Sequence, residues 1–142
     1  MMKSRILLVF IFLLGLYSCH DITVGYLETD DALYSPDSMV VRRELDPIQD
    51  YMMLQSGADW ASVKISGVIG TSPMQYEITN VTATDGGDVD LFMEQIRIIG
   101  GGRFYFQSKD IKAPNGKYKL SIRITNPGYS SELKDIFTVI IK

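Results

Sequence analysis

Apolar and polar residues alternate along much of the chain after residue 38, which is the pattern of β-strands with one buried face. The clearest run is residues 117–125, in which apolar side chains occupy every second position. These are Tyr118, Leu120, Ile122 and Ile124. A turn sequence of Asn, Pro and Gly at residues 126–128 separates this run from an apolar final segment, so the pattern predicts a C-terminal β-hairpin.

Four shorter segments show the same two-residue period and are bounded by turn residues. Their predicted inward-facing residues are Met39, Val41 and Leu45; Ala61, Val63 and Ile65; Tyr76 and Ile78; and Phe104 and Phe106. About seven short strands with little helix predict an all-β fold, a single sandwich of two sheets.

Two segments fit this pattern less simply. Residues 46–54, which include Pro47, predict a short helical turn before Gly57. Residues 88–99 fit either a helix or a strand. The β-branched ending and the glycines at 100–102 favour a strand followed by a tight turn.

The N-terminus has a different pattern. Lys3 and Arg5 precede an apolar run over residues 6–17, which is shorter than the roughly 20 residues of a membrane-spanning helix. A basic start followed by a short apolar core predicts a secretory signal. The run ends in Leu-Tyr-Ser-Cys at residues 16–19, and Cys19 is the only cysteine in the chain.

This ending resembles the lipobox of bacterial lipoproteins. The resemblance implies that Cys19 receives a diacylglyceryl group and becomes the first residue of the mature chain. It divides the chain into a signal peptide at residues 1–18, a lipidated N-terminus and tether at 19–37, and a domain at 38–142. The membrane is then a partner through the lipid anchor, and firm attachment needs two or more acyl chains.

The C-terminal part carries a second resemblance. The stretch "GKYKLSIRITNPGYSSELKDIFTVII", residues 116–141, resembles the last two strands of immunoglobulin-like, PKD-like and cadherin-like modules. Tyr118 follows a Pro-Asn-Gly turn, as in the tyrosine corner of Greek-key sandwiches. With the lipobox, the chain is similar to small sandwich lipoproteins of glycan-foraging Gram-negative bacteria. That likeness implies an immunoglobulin-like Greek-key fold and an outer-membrane location in the cell envelope.

Charge is unevenly distributed along the chain. Residues 19–95 hold fourteen acidic and three basic residues, a net charge of −11, whereas residues 96–142 hold nine basic and three acidic residues, a net charge of +6. In an antiparallel sandwich the late strands lie beside the early ones, so the two halves are expected to neutralise each other. The export signal and the spread of basic residues along strands argue against nucleic-acid binding.

The residue types needed for common catalytic sites are scarce. The only histidine, His20, adjoins the predicted anchor, which excludes Ser-His-Asp and Cys-His catalysis and a His/Cys zinc site in the domain. Glu77 and Glu94 are the candidates for a glycosidase pair, but both are expected to be solvated. The sequence therefore predicts a protein that is not an enzyme and needs no cofactor.

A calcium site is the one metal candidate. Asp85, Asp88 and Asp90 fall within one short loop, and Ca²⁺ prefers several carboxylate oxygens. The loop matches neither an EF-hand nor the acidic motifs of cadherins. A solvated turn with capping aspartates is the alternative interpretation.

Aromatic residues supply the ligand-site candidates. Trp60, Tyr51 and Tyr129 could form a platform on which sugar rings stack. Trp60 alternates against Ala61, so it points outward if Ala61 faces the core. In the other interpretation, Trp60 closes one end of the core.

Two classes of function stay open. The first is a membrane-anchored, non-enzymatic binding module for carbohydrate, or an accessory to a nutrient-uptake system. The second is a structural or adhesive module that binds other envelope proteins. Exposed aromatics on one surface would favour the first, and a long unpaired edge strand would favour the second.

Overall fold

The structure, a computed structural model, describes residues 25–142 and has an all-β fold apart from two short helices. The strands are β1 (Leu27–Glu28), β2 (Ser38–Val41), β3 (Trp60–Ala61), β4 (Ile69–Gly70), β5 (Gln75–Thr84), β6 (Ile96–Ile99), β7 (Arg103–Phe106), β8 (Gly116–Asn126) and β9 (Tyr129–Ile141). The helices are α1 (Tyr51–Ser56) and α2 (Val89–Met93). The predicted all-β class is confirmed.

Two main sheets enclose the core. The larger has the order β2-β9-β8-β5, with β2 parallel to β9 and the other neighbours antiparallel. The smaller, antiparallel sheet has the order β3-β7-β6. The short strands β1 and β4 form a separate pair. Buried side chains from both main sheets form one cluster.

The β8–β9 hairpin is the longest pairing in the fold and confirms the predicted C-terminal hairpin. It runs from Asn126 opposite Tyr129 at the turn to Gly116 opposite Ile141 at the far end. The alternate apolar residues of β8 have no solvent exposure, as the pattern predicts. These are Tyr118, Leu120, Ile122 and Ile124.

The smaller sheet contributes Phe104 and Phe106, both fully buried, as predicted. Three glycines connect β6 to β7, and Gly102 has a φ of +66°. A side chain at Gly102 would lie 2.8 Å from Cγ2 of Ile65, so glycine fits both the backbone and the space. The carbonyl of Gly102 accepts a hydrogen bond from the hydroxyl of buried Tyr34, whose pKa is raised by burial.

The predicted inward orientation is wrong for Ala61 and Val63, whereas Ile65 is partly buried against the core, as predicted. β3 ends at Ala61, and its register places Trp60 opposite buried Phe106 and Ala61 opposite Tyr105. Ala61 and Val63 are exposed and Ser62 is buried. Ser62 tolerates burial because its hydroxyl donates to the carbonyl of Val63 at 2.7 Å and accepts from the Phe104 amide at 2.9 Å.

Residues 25–37, which the sequence pattern places in the tether, contribute to the folded domain. β1 pairs with β4, and Tyr34 is only 4% exposed. The rings of Tyr34 and Phe137 lie 4.9 Å apart between their centroids. Residues 25–37 therefore belong to the folded domain.

The ambiguous segment at residues 88–99 holds both elements that it could form. Helix α2 comes first and β6 follows it. Phe92 of the helix is fully buried, and its ring stacks on that of Tyr118 with a centroid distance of 4.1 Å. The short helix α2 thus places the ring of Phe92 in the core before the chain continues as β6.

Tyr118 makes the hydrogen bond predicted for a tyrosine corner. Its hydroxyl donates to the carbonyl of Pro114 at 2.8 Å, four residues upstream. The same hydroxyl accepts from the amide of Asp88 at 3.2 Å. Tyr118 therefore fixes both the loop that enters β8 and the loop that enters α2.

Candidate functional site

The three predicted platform aromatics do not share one surface. Tyr129 lies at the β8–β9 turn, opposite Asn126. Trp60 and Tyr51 lie toward the other end of β8, because Arg42, which follows β2, contacts both Trp60 and the residue before Tyr51. The eleven residues of β8 separate these ends by about 33 Å.

Trp60 faces inward rather than toward solvent. It shares the inner face of the smaller sheet with Phe106 and packs against the core cluster. Its indole nitrogen is buried and has no hydrogen-bond partner within residues 25–142. The guanidinium of Arg42 lies 6.0 Å from the ring centroid and covers its open side. This placement favours the interpretation in which Trp60 closes the end of the core.

An ion pair holds the segment between β2 and α1 against this end. Nη1 of Arg42 lies 2.6 Å from both carboxylate oxygens of Asp50, which is 7% exposed. The carboxylate also accepts from the amide of Asp46 at 2.9 Å. The Arg42 hydrogen bond, followed by the Asp46 amide, holds the pKa of Asp50 below its usual range.

Arg43 fastens the same segment to the loop before β8. Its Nε donates to Asn115 at 2.7 Å and its Nη1 to the carbonyl of Ile111 at 2.7 Å, and Nη2 donates to the carbonyl of Ala113. The Arg43 amide donates to the carbonyl of Lys142 at 3.0 Å. Two consecutive arginines thus fix where β2 ends and where the α1 segment begins.

Helix α1 confirms the predicted helical turn. The residues at its two ends explain why it is short. The carboxylate of Asp46 accepts from the amides of Ile48 and Gln49, both at 2.8 Å, and these bonds lower its pKa. Gly57 ends the helix in the left-handed conformation, with φ +62°, and its amide donates to the carbonyl of Met53.

The segment from Asp46 to Gly57 leaves large apolar side chains in solvent, and none of the six residues of α1 is buried. We define the apolar end surface as Ile48, Tyr51, Met52 and Leu54, which are 88%, 55%, 75% and 50% exposed. Three of them lie at i, i+3 and i+4, so they share one side of the turn. Contiguous exposed apolar residues are typical of interaction sites.

The sequence pattern predicts a helical turn in this segment and offers Tyr51 as an aromatic ligand candidate, but it does not identify the apolar end surface. The signal was present, because five large apolar residues within residues 48–54 lie between Pro47 and Gly57 and have no strand alternation. An apolar cluster in a segment that cannot join a sheet has no evident place in a sandwich core.

The aspartates proposed for calcium have separate structural roles. Asp88 caps α2, with its carboxylate accepting from the amide of Leu91 at 3.1 Å, and Asp90 lies in the first turn of α2. Asp85 lies 3.8 Å from Nζ of Lys117. Within residues 25–142, no group of three or more acidic, histidine or cysteine residues is arranged to hold a metal ion. The contacts of Asp88 favour the capping interpretation.

The glycosidase candidates are exposed and face cations. Glu77 lies 3.9 Å from Arg123, and Glu94 lies 3.7 Å from Lys112. Cys19, the predicted acylation site, and His20 lie outside the described residues.

Neither α1 nor α2, the helices within residues 25–142, has the length and apolar character to cross a membrane. Comparisons with family models, with curated proteins and with solved structures give no match for this chain. Geometry alone therefore decides between the candidate surfaces.

Proposed function

We propose that the protein is a non-enzymatic binding module, held in the cell envelope by a lipid on Cys19, that binds a partner protein through the apolar end surface. The exposure of Ile48, Tyr51, Met52 and Leu54 carries the proposal. Monomeric proteins rarely leave such side chains together in water unless a partner covers them.

The proposed fold is an immunoglobulin-like Greek-key sandwich. Its support is the strand order, since β5-β8-β9 corresponds to strands C-F-G of that fold and β3-β7-β6 to strands B-E-D. The Tyr118 hydroxyl bond to Pro114 occurs at the start of the strand that corresponds to F. Such folds host many functions, so the surface, not the fold, indicates what is bound.

The position of the apolar end surface favours a partner outside the membrane. Chain entry lies at the opposite end, because the carbonyl of Tyr26 accepts from the side chain of Asn126 at 2.7 Å. The segment from Cys19 to Gly25 spans at most about 21 Å when fully extended, whereas the two ends of β8 are about 33 Å apart. An anchored domain standing on the membrane would present α1 away from the lipid.

The composition of the surface favours protein over carbohydrate. Sugar rings stack on flat aromatic faces, and Tyr51 is the one aromatic of the apolar end surface. Its other members are aliphatic or methionine side chains, which adapt to protein surfaces. Trp60 faces inward, and Tyr129 lies at the other end of the domain.

The anchor is tested by the variant Cys19→Ala. The wild-type chain is expected in the detergent-rich phase after phase separation of solubilised cells. The variant is expected to accumulate as unprocessed precursor. If both chains are processed and partition alike, Cys19 is not the acylation site.

The surface is tested by cross-linking in native membranes, with Met52→Asp as the variant and Ile99→Asp as its matched control. Met52 is 75% exposed in α1, whereas Ile99 is 48% exposed on β6, far from the apolar end surface. The cross-linked partner should disappear with Met52→Asp and persist with Ile99→Asp. Equal loss with both variants would refute a localised surface. Sedimentation with lipid vesicles would instead identify the membrane as the occupant.

A further inference from the structure

Strand β5 leaves one edge of the larger sheet open. Its residues, Gln75–Thr84, pair with β8 on one side only. Within residues 25–142 no strand pairs with the other side of β5. Apart from its ladder with β8, the backbone of β5 makes one hydrogen bond among these residues, from the amide of Gly87 to the carbonyl of Thr84. Every second residue of such a strand points its amide and carbonyl away from the sheet.

The edge has little of the protection that natural edge strands carry. Such strands are usually short, or they contain lysine or proline residues that block pairing. β5 is ten residues long, and its sequence QYEITNVTAT contains neither residue type and one charge, Glu77. A bulge between Ile78 and Asn80 is the one disruptive feature. The strand is therefore suited to accept another strand.

The charge along this edge indicates what kind of strand fits. Residues 75–90 carry four carboxylates, at Glu77, Asp85, Asp88 and Asp90, and no basic residue. The nearest cations, Lys117 and Arg123, belong to β8, on the paired side. Antiparallel pairing with a second copy of this chain would bring two acidic edges together, and like charges in opposed positions are destabilising.

We propose that the free edge of β5 accepts an extended, basic segment of a partner protein as an additional strand. Backbone hydrogen bonds would supply the affinity, and basic side chains facing Glu77 and the following aspartates would supply the selectivity. This site is separate from the apolar end surface, which belongs to the segment around α1. The two proposals therefore fail independently.

The probe is a capped peptide of about eight residues in which valine alternates with lysine, long enough to cover most of β5. Hydrogen–deuterium exchange is followed by mass spectrometry on the full chain purified in detergent. Exchange in residues 75–84 should be faster than in β8 in the free protein and should slow when the peptide is added. A peptide with N-methyl groups on alternate residues, which cannot donate on one side, should give no slowing.

The matched variants are Glu77→Lys and Glu44→Lys. Glu77 belongs to the edge strand, whereas exposed Glu44 follows β2, at the opposite edge of the larger sheet. Peptide affinity should fall about fivefold with Glu77→Lys, since one opposite-charge pair across strands is worth less than a tenfold change. It should not change with Glu44→Lys. Three results would each overturn the proposal. They are exchange in β5 as slow as in β8 in the free protein, no slowing of β5 exchange when the peptide is added, and equal effects of the two variants on peptide affinity.

Discussion

The hydroxyl of Tyr118 links two loops to the core, and Tyr118→Phe removes it without changing the ring. Tyr118 has no solvent exposure, and its hydroxyl bonds to both Pro114 and Asp88. Each hydrogen bond contributes about 1 kcal/mol, so the free energy of unfolding should fall by about 2 kcal/mol. For a domain of this size, that loss lowers the melting temperature by about 8 °C.

The measurement is thermal and urea unfolding of the protein purified without residues 1–19, followed by circular dichroism. The control is Tyr129→Phe, because Tyr129 is 39% exposed and its hydroxyl makes no hydrogen bond to another residue of the described chain. The control should change the unfolding free energy by less than about 0.5 kcal/mol. Equal midpoints for the two variants would show that the tyrosine corner contributes nothing to stability.

Two further predictions concern the end of the core near α1. Trp60→Ala should lower the unfolding free energy by about 3 kcal/mol. In the folded wild type, the single tryptophan should fluoresce at short wavelength. Red-shifted emission of the wild type, together with an unchanged unfolding midpoint for Trp60→Ala, would contradict the inward placement of Trp60. Asp50→Asn should be less stable than wild type at neutral pH. Because the folded pKa of Asp50 is lowered, its contribution is complete above the ordinary value of about 3.9 and is lost as pH falls through the folded value. The difference in unfolding free energy between wild type and Asp50→Asn should therefore narrow as pH falls. A difference that does not change with pH would exclude the ionised Asp50 carboxylate as the cause of the stability loss.

The hairpin of β8 and β9 could be predicted in detail because several signals coincide there. Alternation over residues 117–125 fixes which face is buried, and the two-residue turn at Pro127 and Gly128 fixes the register. Phe104 and Phe106 were predictable for the same reason, since glycines bound a short strand with large apolar residues on one face.

The segment at residues 60–66 could not be oriented from its pattern alone. A two-residue period has two possible phases, and a shift of one residue exchanges the faces. Ala61 and Val63 suggested the wrong phase, because a buried serine looks polar in sequence. Ser62 is buried only because Phe104 and Val63 supply its hydrogen-bond partners, and both contacts depend on the tertiary fold.

The apolar end surface likewise could not be predicted without the tertiary structure. Sequence can show that residues 48–54 are apolar, but not that this segment stays outside the core. That outcome depends on Arg42 and Arg43, which hold the chain at Asp50 and at the loop before β8. The open edge of β5 likewise follows from the order of strands in the sheet, and no local pattern encodes that order.

The two proposed surfaces approach each other at the end of the domain that lies away from chain entry. Thr84, the last residue of β5, is opposite Lys117, next to the end of β8 that adjoins β9 and β2. Three strand spacings of about 4.8 Å, or roughly 15 Å, separate β5 from β2 across the sheet. A partner whose basic segment lay along β5 could reach the apolar end surface with a few more residues.

One partner engaging both surfaces would bind more tightly than through either alone, because the second contact becomes intramolecular. Met52→Asp and Glu77→Lys should then remove the same cross-linked species from native membranes, although Met52 lies in α1 and Glu77 in β5. Two separate partners would give two species, each lost with one variant only. The comparison therefore distinguishes a single extended contact from two independent ones, and loss of neither species would refute both surfaces.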